Sequence, residues 1–219
     1  MKARIAISGE ECVEPLGGAQ VFLLSRKYAS AVTKGGALPL MPADVRLADE
    51  YGDLLDALIL TEGPPIHRGR YGKYYTSFEE MMKLSITRDD FEFFLFHAFS
   101  KRGKPILGIG RGMDIINVAL GGTLKEDKRE ENLVSVSVSA GTELGSFFSA
   151  LPDVRGKAIT TETLSPVLRP WAQGSGGEIE GFEQPGAQVF GILWHGEWEK
   201  LILDDLVPWF VSRVKGGDH

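Results

Sequence analysis

Short, continuously apolar runs recur along the chain and alternate with longer segments of helical spacing. Residues 57–60 (ALIL) and 106–109 (ILGI) are two such runs, and a strand that is apolar at every position is typical of a sheet covered on both faces. Strands that alternate with helices predict a mostly parallel sheet with helices on either side. We therefore expect an α/β fold, a three-layer α/β/α sandwich, in a single domain spanning residues 1–219.

Two segments show the spacing of amphipathic helices. The apolar residues of the first recur every three or four positions and are Val21, Leu24, Tyr28 and Val32. This pattern stops at Gly35 and Gly36, as is typical of a helix C-cap. A terminal helix is expected over residues 198–214.

Composition excludes several classes of function. The net charge is −6, from 24 basic and 30 acidic residues, which argues against nucleic acid or an anionic membrane surface as a partner. No apolar stretch approaches the roughly 18 residues of a membrane span. The single cysteine, Cys12, excludes an internal disulfide and a cysteine-based zinc site and fits a cytoplasmic location. We expect no metal and no cofactor, because no phosphate-binding loop is visible either.

Residues 104–124 are the most informative segment, and they read KPILGIGRGMDIINVALGGTL. A predicted strand runs directly into a predicted helix, and glycines flank the turn between them at Gly110. This pattern predicts a nucleophile elbow, a sharp turn that lifts one side chain above the sheet at a helix N-terminus. At such a position the helix dipole lowers the pKa of a thiol, and backbone N–H groups can hold an oxyanion.

The segment resembles the elbow of the class I glutamine amidotransferase-like superfamily, and most closely its γ-glutamyl-γ-aminobutyrate hydrolase (peptidase) branch. That branch typically reads K-P-I-L-G-I-C-R-G-M-Q-x-x-N-V-x-x-G-G-T-L. Further matches follow in the same order as in the family: YASAV (28–32), GGALP (35–39), LTEG (60–63), RDDFE (88–92), GEIE (177–180) and GILWHGE (191–197). They cover nearly the whole chain.

The resemblance implies a catalytic triad of Cys, His and Glu. His195 and Glu197 match the last two members, as general base and as the group that orients the imidazole. Gly110 stands where the family has its nucleophilic cysteine. Gly63 and Arg111 match positions on the substrate and oxyanion side of the site. Glycine accepts the strained backbone of an elbow, so the fold is expected to survive the change whereas the thiol chemistry is not.

Other family positions also differ. The family's Gly-Gly-x-Asp is Glu62-Gly63-Pro64-Pro65 here, and its Asn-Ser-x-His-His-Gln aligns with residues 160–165, which lack both histidines. The proline of its Trp-His-Pro-Glu motif is Gly196. Cys12, which follows the first strand at the ligand edge, is an alternative as a relocated nucleophile, against its reading as a structural cysteine. Ser165 is a second alternative, and it has no elbow to support it.

Three functions remain open on the sequence. The first is a divergent homologue without a nucleophile that binds a small amide or γ-glutamyl-like ligand, or a protein partner. The second is a hydrolase in which His195 activates water in the space of the missing thiol. The third is an ordinary γ-glutamyl amide hydrolase carrying a Cys→Gly change. A homodimer is compatible with all three.

Overall fold

The computed structural model describes residues 1–13, 20–73, 86–124, 133–155, 159–160, 163–193 and 196–214. The strands are β1 (Arg4–Ile7), β2 (Glu10–Val13), β3 (Gln20–Leu23), β4 (Leu38–Leu40), β5 (Ala57–Leu60), β6 (Ile106–Ile109), β7 (Leu133–Val134), β8 (Val136–Val138), β9 (Val154–Arg155), β10 (Ile159–Thr160), β11 (Arg169–Gly174), β12 (Glu178–Glu183) and β13 (Val189–Ile192). The α-helices are α1 (Arg26–Lys34), α2 (Ala48–Leu54), α3 (Ile86–Ser100), α4 (Arg111–Ala119), α5 (Glu143–Phe147) and α6 (Val207–Arg213). Three 3-10 helices cover Val45–Leu47, Arg68–Tyr71 and Gly196–Trp198, and a π-helix covers Leu201–Leu206.

One large sheet organises the molecule, with strand order β4-β1-β5-β6-β13-β12-β11-β8 and β10 paired to β12. The strands from β4 to β13 in this order are parallel, and the remaining pairings are antiparallel. Parallel neighbours need a crossover connection, and helices supply it here. The α/β fold predicted from the alternating apolar runs is confirmed.

Helices cover both faces of the sheet, which explains why its central strands are apolar throughout. Ile5 and Ile59 point into one core cluster, together with residues of α1, the π-helix and α6. Their chain neighbours Ala6 and Leu58 point into a second cluster, together with residues of α3 and α4. Successive side chains of a strand face opposite sides, so two buried faces require apolar residues at every position.

The carboxyl ends of four parallel strands lie side by side at one edge of the sheet. Ile7 pairs with Ile59, and the adjoining ends of β5 and β6 are paired through Leu60 and Gly108. Ile109 at the end of β6 pairs with Ile192 at the end of β13. The loops that follow these strands therefore start as neighbours, and ligands of open α/β sheets bind at this edge.

The first helical segment begins later than its apolar spacing predicts. Residues 20–23 form β3, which pairs antiparallel with β2 in a small hairpin that follows β1. Phe22 from this hairpin packs edge-on against Phe91 of α3, with the ring centroids 6.0 Å apart. The helix starts only at Arg26 and ends at Lys34, and Gly36 adopts a φ of 92° just beyond its end. The predicted end of the helix is confirmed, and its predicted start was wrong because Val21 belongs to the hairpin.

The terminal helical segment is interrupted rather than continuous. A π-helix (Leu201–Leu206) runs into α6, whose second residue is Pro208. Proline has no N–H to donate to the carbonyl of Asp204, four residues earlier. The ammonium group of Lys34 lies 3.5 Å from that carbonyl oxygen and 3.0 Å from the Asp204 carboxylate. Within the described ranges, none of the helices combines the length and the apolar character needed to cross a lipid bilayer.

Candidate functional site

The predicted elbow is present at Gly110. Strand β6 ends at Ile109 and α4 begins at Arg111, so Gly110 alone makes the turn, with φ 56° and ψ −115°. Its N–H donates to Ile192 O at 2.8 Å, and its carbonyl accepts from Met113 N at 2.9 Å. Side chains other than glycine rarely adopt such a positive φ, and strained backbone of this kind concentrates at functional sites. The prediction that Gly110 lies at a strained strand-to-helix turn is confirmed.

Two further glycines allow the helix to start so close to the sheet. A Cβ atom on Gly112 would overlap the backbone of Leu60, at 2.6 Å from its carbonyl carbon. A Cβ on Gly108 would lie 2.5 Å from Gly112 O and 2.6 Å from the Ile116 side chain. The glycines around Gly110 therefore serve the close contact between helix and strand, whichever residue occupies the elbow itself.

The loop after β5 forms the wall beside the elbow. Thr61 N donates to Ser8 Oγ at 3.0 Å, which ties the loop to the end of β1. Arg88, from the first turns of α3, donates to Glu62 O at 3.0 Å and to Thr61 Oγ1 at 3.3 Å. A Cβ atom on Gly63 would collide with the Arg88 guanidinium. Gly63 is thus required by the close approach of this arginine.

A buried network of ion pairs connects the elbow helix to this wall. Arg111 Nη2 donates to Asp89 Oδ1 at 2.6 Å, and Arg111 Nε lies 2.9 Å from Glu92 Oε2. Arg88 Nε donates to the other oxygen of Glu92 at 3.1 Å, and Arg111 Nη1 donates to Pro64 O at 3.2 Å. The side chains of Arg88, Arg111, Asp89 and Glu92 are at most 3% exposed. The network fixes the loop, α3 and α4 relative to one another.

This network defines what Arg111 can contribute to a ligand site. Burial alone would lower the pKa of Arg111, but the carboxylates of Glu92 and Asp89 outweigh it and raise the pKa above its ordinary value. The guanidinium is therefore a permanent cation that is already paired inside the protein. An oxyanion contact at this position would fall to the backbone N–H of Arg111, because the first N–H groups of a helix have no acceptor within the helix.

The predicted His195 lies outside the described residues, as does Trp194. Gly196 and Glu197 belong to the short 3-10 helix Gly196–Trp198, and the side chain of Glu197 is not among those described. Strand β13 pairs with β6 up to Ile192, beside the elbow, and Leu193 is the last described residue before His195. The catalytic roles of His195 and Glu197 stay predictions.

The two alternative nucleophiles differ in position. Ser165 is buried at the far end of α4, where its hydroxyl donates to Leu120 O at 2.6 Å and its N–H donates to Asn117 Oδ1 at 2.8 Å. A nine-residue helix is roughly 14 Å long, which separates Ser165 from the elbow at its other end. Cys12 lies in β2, opposite Val21, in the hairpin after β1, and its side chain is not among those described.

In the sequence, Glu62 stands out only as a departure from the family pattern. The structure shows that its carboxyl group is partly buried and, among the described residues, has an unpaired oxygen. Its Oε2 atom is buried and has no hydrogen-bond partner within the part of the chain that the structure describes. Burial raises the pKa of Glu62 above its ordinary value, and the nearby Glu10 and Glu199 raise it further, whereas Arg88 and the residue's own N–H oppose the rise. An acid in place of a family glycine was the sequence signal that pointed here.

No metal site accompanies these groups in the described ranges, where no three His, Cys, Asp or Glu side chains come together as metal ligands would. The groups that the structure describes at the site are the backbone of the elbow and the Glu62 carboxyl group.

Comparisons with known proteins agree with this geometry. Residues 5–197 match the Peptidase C26 family. Protein NtpR of Enterococcus hirae is 28% identical over 217 residues, covering 88% of this chain and 90% of that protein. A glutamine amidotransferase-like protein of Lactococcus lactis is 28% identical over 186 residues, covering 75% of this chain and 77% of the relative.

A solved structure supports the fold. The crystal structure of a glutamine amidotransferase from Thermotoga maritima superimposes with a TM-score of 0.58 over 94% of this chain and 84% of that chain, at 15% sequence identity. Similarity at this level of identity bears on the fold alone. The family match and the elbow at Gly110 agree with this fold. The chain belongs to the Peptidase C26 family, within the class I glutamine amidotransferase-like superfamily.

Proposed function

We propose that this protein binds a small amide or γ-glutamyl-like ligand at the elbow and does not hydrolyse it through a thiol. The observation that carries the proposal is Gly110, which keeps the strained backbone of a nucleophile elbow without any side chain. Covalent amide hydrolysis in this family needs a nucleophile at that position. Loss of such a nucleophile costs about 10⁶-fold in turnover in a comparable hydrolase.

Groups that could bind a ligand without reacting with it are still present at the site, which supports a binding function. The first N–H groups of α4 and the positive end of its dipole remain available for a carbonyl or carboxylate oxygen. The buried pairs between Arg111 and the acids of α3 still fix the wall that contains Gly63.

Two departures from the family pattern support divergence at several positions rather than a single Cys→Gly change. Glu62 places a carboxylate where the family has a glycine, so the wall next to the elbow carries a different charge. Thr163 and Leu164 stand where the aligned family segment has its two histidines, and here the carbonyl of Thr163 and the N–H of Ser165 are bound to Asn117, near the far end of α4. Of the two, the change at Glu62 alters the wall beside a thiol added at Gly110, and the change at residues 163–164 lies away from it.

The test combines binding and turnover. Wild type, Gly110→Cys and Gly110→Cys/His195→Ala are assayed for steady-state hydrolysis of L-glutamine and γ-glutamyl-γ-aminobutyrate, and binding of the same compounds to wild type is measured by calorimetry. We expect binding without turnover in the wild type and little recovery in Gly110→Cys.

Three results would contradict the proposal in different ways. Rates in Gly110→Cys typical of the family, abolished in the double variant, would mean that only the thiol is missing. Wild-type hydrolysis that is insensitive to iodoacetamide and lost in His195→Ala would support a water mechanism. Hydrolysis that iodoacetamide blocks would assign the reaction to Cys12.

A further inference from the structure

The Glu62 carboxyl group is a feature of the described site that its own surroundings leave unexplained. Carboxylate oxygens are strong acceptors, and buried acceptors in folded proteins nearly always have a donor. Oε2 of Glu62 is buried and lacks one in the described part of the chain. An unpaired buried acceptor lowers the stability of a protein, and such groups are kept where a function needs them.

The position of this carboxyl group follows from its neighbours. Glu62 comes two residues after the end of β5, and its backbone carbonyl is held by Arg88 at 3.0 Å. Its pKa responds to Glu10, which follows β1, and to Glu199, which follows β13. Strand β6 and the elbow lie between β5 and β13 in the sheet. Glu62 therefore belongs to the loop at the carboxyl end of β5, directly beside the strand whose end forms the elbow at Gly110.

Among the residues that the structure describes, the basic groups around the elbow are matched to other acids. Arg88 and Arg111 face Asp89 and Glu92 in the buried network, two cations against two anions. The carboxylate of Glu199 faces the ammonium group of Lys27. Glu62 is therefore an additional negative charge, and Glu10 adds to the negative potential around it.

We propose that Glu62 is a specificity residue that accepts hydrogen bonds from a primary ammonium group of the ligand. An ammonium group supplies three donors and a positive charge, which satisfies both the unpaired oxygen and the uncompensated charge. A neutral amide supplies the donors without the charge, and an anion supplies neither. The inference rests on the proposed function, because it requires a small ligand at the elbow.

The experiment compares matched probes on matched proteins. Calorimetric titrations measure the binding of L-glutamine and of glutaramate, which has the same amide and carboxylate but no α-ammonium group. They are made with wild type, Glu62→Gln and Glu50→Gln, the last being the same change on the exposed face of α2. We expect wild type and Glu50→Gln to bind L-glutamine about 10- to 100-fold more tightly than glutaramate, the range for a hydrogen bond to a charged group. In Glu62→Gln this preference should disappear.

The outcomes separate this inference from the proposed function. Equal affinity of wild type for the two probes, or a preference that survives Glu62→Gln, overturns the role of Glu62 and leaves ligand binding at the elbow intact. Failure of wild type to bind either probe overturns the proposed function, and the inference falls with it. The comparison of the two probes on wild type needs no variant, so the inference stays testable even if Glu62→Gln were to fold poorly.

Discussion

Replacement of Arg111 by methionine tests whether this side chain belongs to the framework of the site or to a ligand. The change keeps an unbranched side chain in the buried space but removes the cation. Asp89 and Glu92, which are 2% and 1% exposed, then lose the guanidinium that lies 2.6 and 2.9 Å from them. Removal of one partner from a buried ion pair typically costs about 3 to 5 kcal/mol.

The structure places this variant at the lower end of that range. Glu92 keeps Arg88 at 3.1 Å, so its charge is still compensated. Asp89 keeps the N–H of His67 at 2.9 Å, but the remaining arginine near it, Arg70, is 3.8 Å away. We therefore expect Arg111→Met to lower the free energy of unfolding by about 3 kcal/mol, most of it from Asp89.

Urea unfolding at pH 7, followed by tryptophan fluorescence, measures this loss as a lower midpoint at an unchanged slope. Arg46→Met is the matched control, because Arg46 also pairs with an aspartate but is 83% exposed, and its loss should leave the urea midpoint close to that of wild type. The double variant Arg111→Met/Asp89→Asn should recover part of the lost stability, since the uncompensated charge is gone.

A loss of less than about 1 kcal/mol in Arg111→Met, far below the range for a buried pair, would refute the reasoning. The guanidinium would then be free to serve the substrate role that the family pattern assigns to this position.

Three further changes test other parts of the structure, each by urea unfolding. Gly112→Ala should lower the free energy of unfolding by about 3 kcal/mol or more, because the new Cβ meets the backbone of Leu60. Gly141→Ala is the control: its Cβ meets nothing within 4 Å, and its free energy of unfolding should stay within about 0.5 kcal/mol of wild type. Similar losses in the two variants would contradict the close-contact argument. Glu62→Gln should raise the free energy of unfolding at pH 7 by less than about 1 kcal/mol, because solvent screens a carboxyl group that is only partly buried. An acid whose folded pKa is raised destabilises the fold above that pKa, so the gain should vanish as the pH falls below 4.5, and a gain that persists at low pH would exclude this origin. Lys104→Met should lower the free energy of unfolding by about 2 kcal/mol, because the ammonium group of Lys104 donates to three backbone carbonyls at the end of α2. An unchanged free energy of unfolding would show that water replaces the ammonium group at these carbonyls.

The order and character of the elements could be predicted from the sequence because they depend on local patterns. Continuous apolar runs such as residues 57–60 determine a strand with two covered faces, and the glycines around position 110 determine a tight turn between strand and helix. The absence of a nucleophile at Gly110 is likewise a property of the sequence alone, and no arrangement in space can supply the missing side chain.

Only the tertiary structure decided what depends on partners far apart along the chain. The spacing of Val21 fits a helix, but residues 20–23 instead pair with β2, and Phe22 packs on Phe91, about 70 positions away. Arg111 has its carboxylate partners about 20 residues earlier, so its role in the buried network could not be deduced from the elbow motif. Glu62 is the clearest case: an unpaired acceptor is defined by the donors that surround it in space, and only the packed sheet edge fixes which groups those are.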